Sequence, residues 1–141
     1  MNRRHVIAAG AALIAAPASG LAQPGHNHAE ASALNELFDA ANKCVTTGLV
    51  CIDHCQQMFA AGDVSLAACA RDVDQLVSIC GTLAKLASLR SPYVPAMAKV
   101  ALTACQDCET ECRKHADKHA VCKACADACV TCAKQCKQIA A

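Results

Sequence analysis

The chain has 141 residues, a formal net charge of +1, three aromatic residues (Phe38, Phe59 and Tyr93) and no tryptophan. Its length fits one domain. The near-neutral charge gives no electrostatic basis for binding nucleic acid or an anionic membrane. What stands out in the composition is cysteine, present thirteen times.

The N-terminus reads as an export leader. Arg3-Arg4 precede the apolar run Val6–Ala16, and Gly20-Leu21-Ala22 makes a small-x-small cleavage site before Gln23. That run is too short to span a bilayer. The paired arginines point to the twin-arginine route, which exports folded proteins, and to a periplasmic or internal-membrane compartment. Residues 1–22 are therefore set aside as a signal peptide. Residues 23–30 read as a flexible mature N-terminus, so His26 and His28 there are weak metal candidates.

From 31 onward the pattern is helical. Between Ala31 and Ala61 the inward stripe is Leu34, Leu37, Ala41, Cys44, Gly48, Cys51, Cys55 and Met58, with every step +3 or +4. Gly62 supplies a stop, and Asp63 is placed to cap the next helix. The second helix runs from about Val64 to Leu89, with Leu66, Cys69, Val73, Leu76, Cys80, Leu83 and Ala87 inward. Pro92 and Pro95 end it.

The third helix starts near Pro95, a tolerated first-turn position. Its stripe is Ala98, Ala101, Cys105, Cys108, Cys112, His115 and His119. No Gly or Pro follows, but the phase slips between His119 and Cys125, which predicts a turn around 117–120. The fourth helix carries Cys122, Cys125, Cys129, Cys132 and Cys136 in steps of +3, +4, +3 and +4, then Ile139. These are core positions with thiols in place of hydrocarbon. Four such helices with short loops over 31–141 predict an all-α, antiparallel up-down-up-down four-helix bundle with a cysteine-lined core.

Placing both turns at one end aligns the helices in layers. At the turn end come Met58, Leu66, His115 and Cys122. Next are Cys55, Cys69, Cys112 and Cys125, then Cys51, Val73, Cys108 and Cys129. Gly48, Leu76, Cys105 and Cys132 follow, then Cys44, Cys80, Ala101 and Cys136. Ala41, Leu83, Ala98 and Ile139 close the far end. Met58, His115, His119 and nearby His54 make the turn end the expected port for a soft metal.

A disulfide framework fits poorly. Thirteen is odd, thiols four apart on a helix bridge only with distortion, and the loops of small stapled scaffolds are missing. One or two core cysteines could pack as small hydrophobes, but not thirteen in C-x-x-C and C-x-x-x-C ladders. Thiolate is the ligand form. A dozen buried thiolates need matching positive charge. Cu(I) supplies about one charge per thiolate and needs only two sulfurs. Zinc would require tetrahedral sets that most layers lack, and iron–sulfur clusters usually sit in loops.

The ladders Cys51-x-x-x-Cys55, Cys105-x-x-Cys108-x-x-x-Cys112 and Cys122-x-x-Cys125-x-x-x-Cys129-x-x-Cys132-x-x-x-Cys136 resemble the bacterial copper storage proteins with a four-helix-bundle fold. With its leader, the chain looks most like the exported type of methane-oxidising bacteria. The resemblance implies several Cu(I) ions on inward cysteines and a homotetramer of bundles. It also implies His and Met ligands at the open end, where His54 and Met58 match best, and copper held for a client such as particulate methane monooxygenase.

Storage without catalysis is the first reading. A metallochaperone or detoxifying sponge that hands Cu(I) to a partner is the alternative. A thiol redox enzyme is disfavoured, since the sequence offers no evident base and no βαβ context for its C-x-x-C pairs.

Overall fold

A computed structural model describes residues 28–140 of the chain. The leader, the cleavage site and His26 lie outside the described residues. Four helices follow one another: α1 (His28–Ala60), α2 (Ala67–Ser88), α3 (Val94–Arg113) and α4 (Ala120–Ile139). Among the described residues there is no strand.

α1 is the longest, at 33 residues, or roughly 50 Å. It begins before the expected Ala31, so residues 28–30 are helical rather than a flexible lead-in. Ala29 and Ala31 favour helix, and Glu30 in the first turn complements the positive end of the helix dipole. After α1 the chain turns at Gly62, whose φ of +86° suits a residue without Cβ. Asp63 does not cap α2. Its carboxylate accepts from the Ser65 N–H at 2.8 Å, an Asx turn that delays the helix to Ala67.

α3 carries Pro in its first turn, as expected. It ends at Arg113, so the second turn spans 114–119, earlier and longer than the expected 117–120. The N–H groups of Lys118 and His119 both donate to the His115 carbonyl. His119, in an extended conformation, then opens α4.

Each helix packs on its two neighbours in the cycle α1–α2–α3–α4–α1. That is the up-down-up-down bundle. Its axis is the core. All thirteen cysteines are free and buried, each at 0% exposure. No charged or polar residue is buried with them among the described residues. Hydrocarbon closes the end opposite the two turns. Leu37, Ala41, Leu83, Ala87, Val94 and Ala98 are buried there, and Ile139 packs against them half-buried.

Gly48 marks the closest approach of α1 to α2. A Cβ there would stand 2.6 Å from Val77 Cγ2 and 3.3 Å from Val73 Cγ1. On the outside, Arg113 pairs with Asp127 at 2.7 Å and ties α3 to α4. None of the described helices is long and apolar enough to cross a membrane.

Candidate metal centre

The helical stripes bring the thiols together in four groups. Cys44, Cys80, Cys105 and Cys132 form a quartet whose sulfurs all lie within 4.8 Å of one another. Three trios meet the same limit: Cys51, Cys69 and Cys122; Cys51, Cys112 and Cys125; Cys108, Cys125 and Cys129. Among the shortest separations are Cys69–Cys112 at 3.5 Å and Cys51–Cys122 at 3.8 Å. Cys55 lies beside Cys51 and Cys69, and Cys136 stands 3.9 Å from Cys132. Every predicted cysteine is thus in the core and next to another sulfur.

The layers differ from those counted along the sequence. Within each hairpin the register is as expected: Cys44 faces Cys80, Cys105 faces Cys132, and Cys112 faces Cys125. Between hairpins it is offset, by one to two layers where α4 meets α1. Cys122 lies beside Cys51, not level with Met58 and Leu66. Cys105 and Cys132 join Cys44 and Cys80, where Ala101 and Cys136 were expected. The four-thiol site is therefore this quartet, not Cys55, Cys69, Cys112 and Cys125. The count placed both turns at one height. A contact between His54 and His119 instead brings the start of α4 level with residue 54, nearly two helical turns below the end of α1 at Ala60.

At that end His54 Nε2 lies 2.9 Å from His119 Nδ1, with ring centroids 4.9 Å apart. Both rings are half-buried. Met58 is also half-buried and packs on the core. His115 takes a different neighbour. The ring is half-buried, and its Nε2 atom, shielded from solvent, lies 3.4 Å from Glu111 Oε1 without hydrogen-bond geometry. Glu111 also pairs with Lys114, which holds its carboxyl below the ordinary value. The pairing of His54 with His119 was not legible in the sequence. The Glu111-x-x-x-His115 spacing was a signal that could have found the second contact.

Neighbouring thiols set one another's acidity. Cys105 is lowered to about 6, chiefly by its contact with Cys129 and then by Cys44 and Cys80. Cys132 is lowered to about 5 by Cys105 and Cys136. Cys125 is held below its ordinary value by Cys108 and Cys112. The neighbours that stabilise these thiolates are themselves pushed up: Cys44 by Cys105, Cys112 by Cys108, and Cys129 by Cys105 and Cys108. Burial raises Cys55 to about 11. Cys122 is drawn down by Cys51, but Cys69 and burial outweigh this and leave it at about 12. The core thus mixes thiols that ionise readily with thiols that ionise only when a cation replaces the proton.

A four-helix bundle lined with free cysteines, with imidazoles and a thioether at one end, defines a class of protein. Its interior is a multidentate host for soft, monovalent metal. The chain belongs to the copper storage protein family, which it matches over residues 30–141. It is similar to the uncharacterized cysteine-rich protein YhjQ of Bacillus subtilis (strain 168), 32% identical over 106 residues, covering 75% of this chain and 88% of that one. Among solved structures it resembles Cu(I)-bound BsCsp3, the copper storage protein 3 of Bacillus subtilis. That match has 30% identity and a TM-score of 0.66, over 77% of this chain and 99% of that one. It also resembles the copper storage protein Ccsp of Streptomyces lividans, loaded with 10 copper equivalents. There the identity is 25% and the TM-score 0.71, over 77% of this chain and 84% of the other.

Proposed function

We propose that this chain stores Cu(I), about one ion per cysteine, on core thiolates, and does so without catalysis. The observation that carries the reading is the burial of all thirteen cysteines as free thiols within one continuous core. Thirteen thiolates without counter-charge would be prohibitively costly in that interior. One Cu(I) per thiolate neutralises them. A chaperone that passes copper to one partner needs one or two sites and has no use for a core of this depth.

His54, His119 and Met58 form the port. Imidazole and thioether hold Cu(I) more weakly than thiolate, which suits transfer over retention. His115 joins them if it turns from Glu111. The Arg3-Arg4 leader supports export of the folded protein. A homotetramer, and a client such as particulate methane monooxygenase, rest on the family resemblance.

Anaerobic titration of the reduced protein with Cu(I), against a chromophoric chelator, tests the reading. The expected saturation is about a dozen ions per chain, by charge neutrality. Saturation at one to four would exclude storage.

A further inference from the structure

The thiol groups are not evenly joined. The trio containing Cys122 shares Cys51 with the next trio, and that one shares Cys125 with the trio of Cys108, Cys125 and Cys129. Together they make a sulfur path leading inward from the histidine end. The quartet of Cys44, Cys80, Cys105 and Cys132 shares no member with that path.

On the α1–α2 side, hydrocarbon separates the two. Between Cys51 and Cys44 on α1 comes Gly48. Between Cys69 and Cys80 on α2 come buried Val73 and Leu76. Val73 and Val77 close on Gly48 too tightly for even a Cβ. On the α4 side the sulfur continues. Cys129 belongs to the innermost trio, and its thiol also interacts with Cys105 and Cys44 of the quartet. It stands one turn from Cys125 on one side and from Cys132 on the other.

Cu(I) cannot cross hydrocarbon bare, because the desolvation cost is too high. It moves by exchanging one sulfur for the next. We propose that Cys129 is the relay through which Cu(I) passes from the outer thiol path into the Cys44/Cys80/Cys105/Cys132 quartet, in preference to the Cys108–Cys105 step along α3, because the Cys129 thiol touches both Cys108 of the path and Cys105 and Cys44 of the quartet. The inference rests on the storage reading. In the step, the Cu–S bond to Cys108 or Cys125 breaks as the bond to Cys129 forms. The proton released by the Cys129 thiol goes to the thiolate left behind. Copper stays Cu(I), and the same exchange then passes it to Cys105.

The test compares Cys129→Ser with Cys136→Ser in the full-length, reduced chain. Cys136 lies beside Cys132 and off the outer path, so each variant removes one thiol but only one removes the relay. Cu(I) is delivered anaerobically as its bicinchoninate complex, and uptake is followed by the loss of that colour. Both variants should hold about one ion fewer than the unaltered chain, by charge neutrality. The last equivalents, which correspond to the four quartet thiols, should load roughly tenfold or more slowly in Cys129→Ser. Cys136→Ser should load at the unaltered rate. Cys129→Ala should repeat the slow phase, and circular dichroism should show all variants folded. Equal kinetics in the Cys129 and Cys136 variants would overturn the relay while leaving storage intact. Saturation of the unaltered chain at a few ions would overturn storage itself.

Discussion

Gly48→Ala is the sharpest perturbation of the bundle that touches no ligand. The added Cβ would meet Val77 Cγ2 at 2.6 Å and Val73 Cγ1 at 3.3 Å. The first separation is untenable without movement. Val77 is β-branched in the middle of α2, where its rotamer is nearly fixed, so relief has to come from the helices moving apart. Overpacking of this kind costs about 1–3 kcal/mol. Replacing glycine by alanine in a helix interior returns about 1 kcal/mol. The expected net loss is therefore about 1 kcal/mol, or roughly 4 °C in the melting temperature of a domain this size.

The assay is a double-mutant cycle with Val77→Ala, read by thermal unfolding of the reduced, copper-free protein. Val77→Ala removes the obstructing methyl, so Gly48→Ala in that background should keep its propensity gain and stabilise. The coupling should be roughly 1–2 kcal/mol. Copper capacity should not change, because Gly48 offers no ligand. If Gly48→Ala raises the melting temperature by itself and shows no coupling to Val77, the helices do not approach this closely and the hydrocarbon wall of the core is absent.

Replacing His54 and Met58 together should slow copper uptake in stopped-flow mixing while barely lowering capacity, whereas Ile139→Ala should lower the melting temperature and leave uptake alone; the reverse pattern would place the port at the wrong end. Cys55 and Cys122, raised to about 11 and about 12, are protonated at neutral pH, so each ion bound there should release one proton in a pH-stat titration, and loading of the full store with no proton release would contradict this. The same groups set an alkaline limit for the copper-free bundle. Their folded values lie above the ordinary 9.0, so their stabilisation is complete below pH 9 and lost as the pH rises through 11 and 12. Denaturant midpoints that stay flat from pH 8 to pH 11 would contradict the burial of these thiols. Finally, leucine, valine and alanine share the inward stripes with cysteine, so the reduced apo protein should already be helical by circular dichroism. A coil that folds only on adding copper would contradict this.

The fold was largely legible because cysteine fills the inward positions that leucine fills elsewhere. The +3/+4 steps of Cys122 to Cys136 carried the phase of α4 without ambiguity, and the stripe residues are buried except Leu34, Met58, His115, His119 and Ile139, which are half-buried. The Asp63 turn that delays α2, and three further features, escaped that reasoning. The start of α1 did, because a helix boundary near polar residues depends on dipole and propensity terms of a few tenths of a kcal/mol. The second turn was placed late, because no Gly or Pro punctuates 114–119 and only the slip in phase betrayed it. The relative height of the two hairpins also escaped, because spacing along a helix fixes which residues face inward but not how far one hairpin slides along another. That slide is set by contacts such as His54 with His119, which join residues far apart in the chain. It decides that Cys44 and Cys80 meet Cys105 and Cys132, and so where the four-thiol group lies.

X-ray absorption at the copper edge of the fully loaded protein tests the central claim most directly, because it reports oxidation state and first-shell atoms together. Storage on core thiolates requires a Cu(I) edge and a first shell dominated by sulfur at full loading, with at most a minor nitrogen contribution from His54 and His119. A Cu(II) edge, or a shell dominated by nitrogen and oxygen, would contradict it.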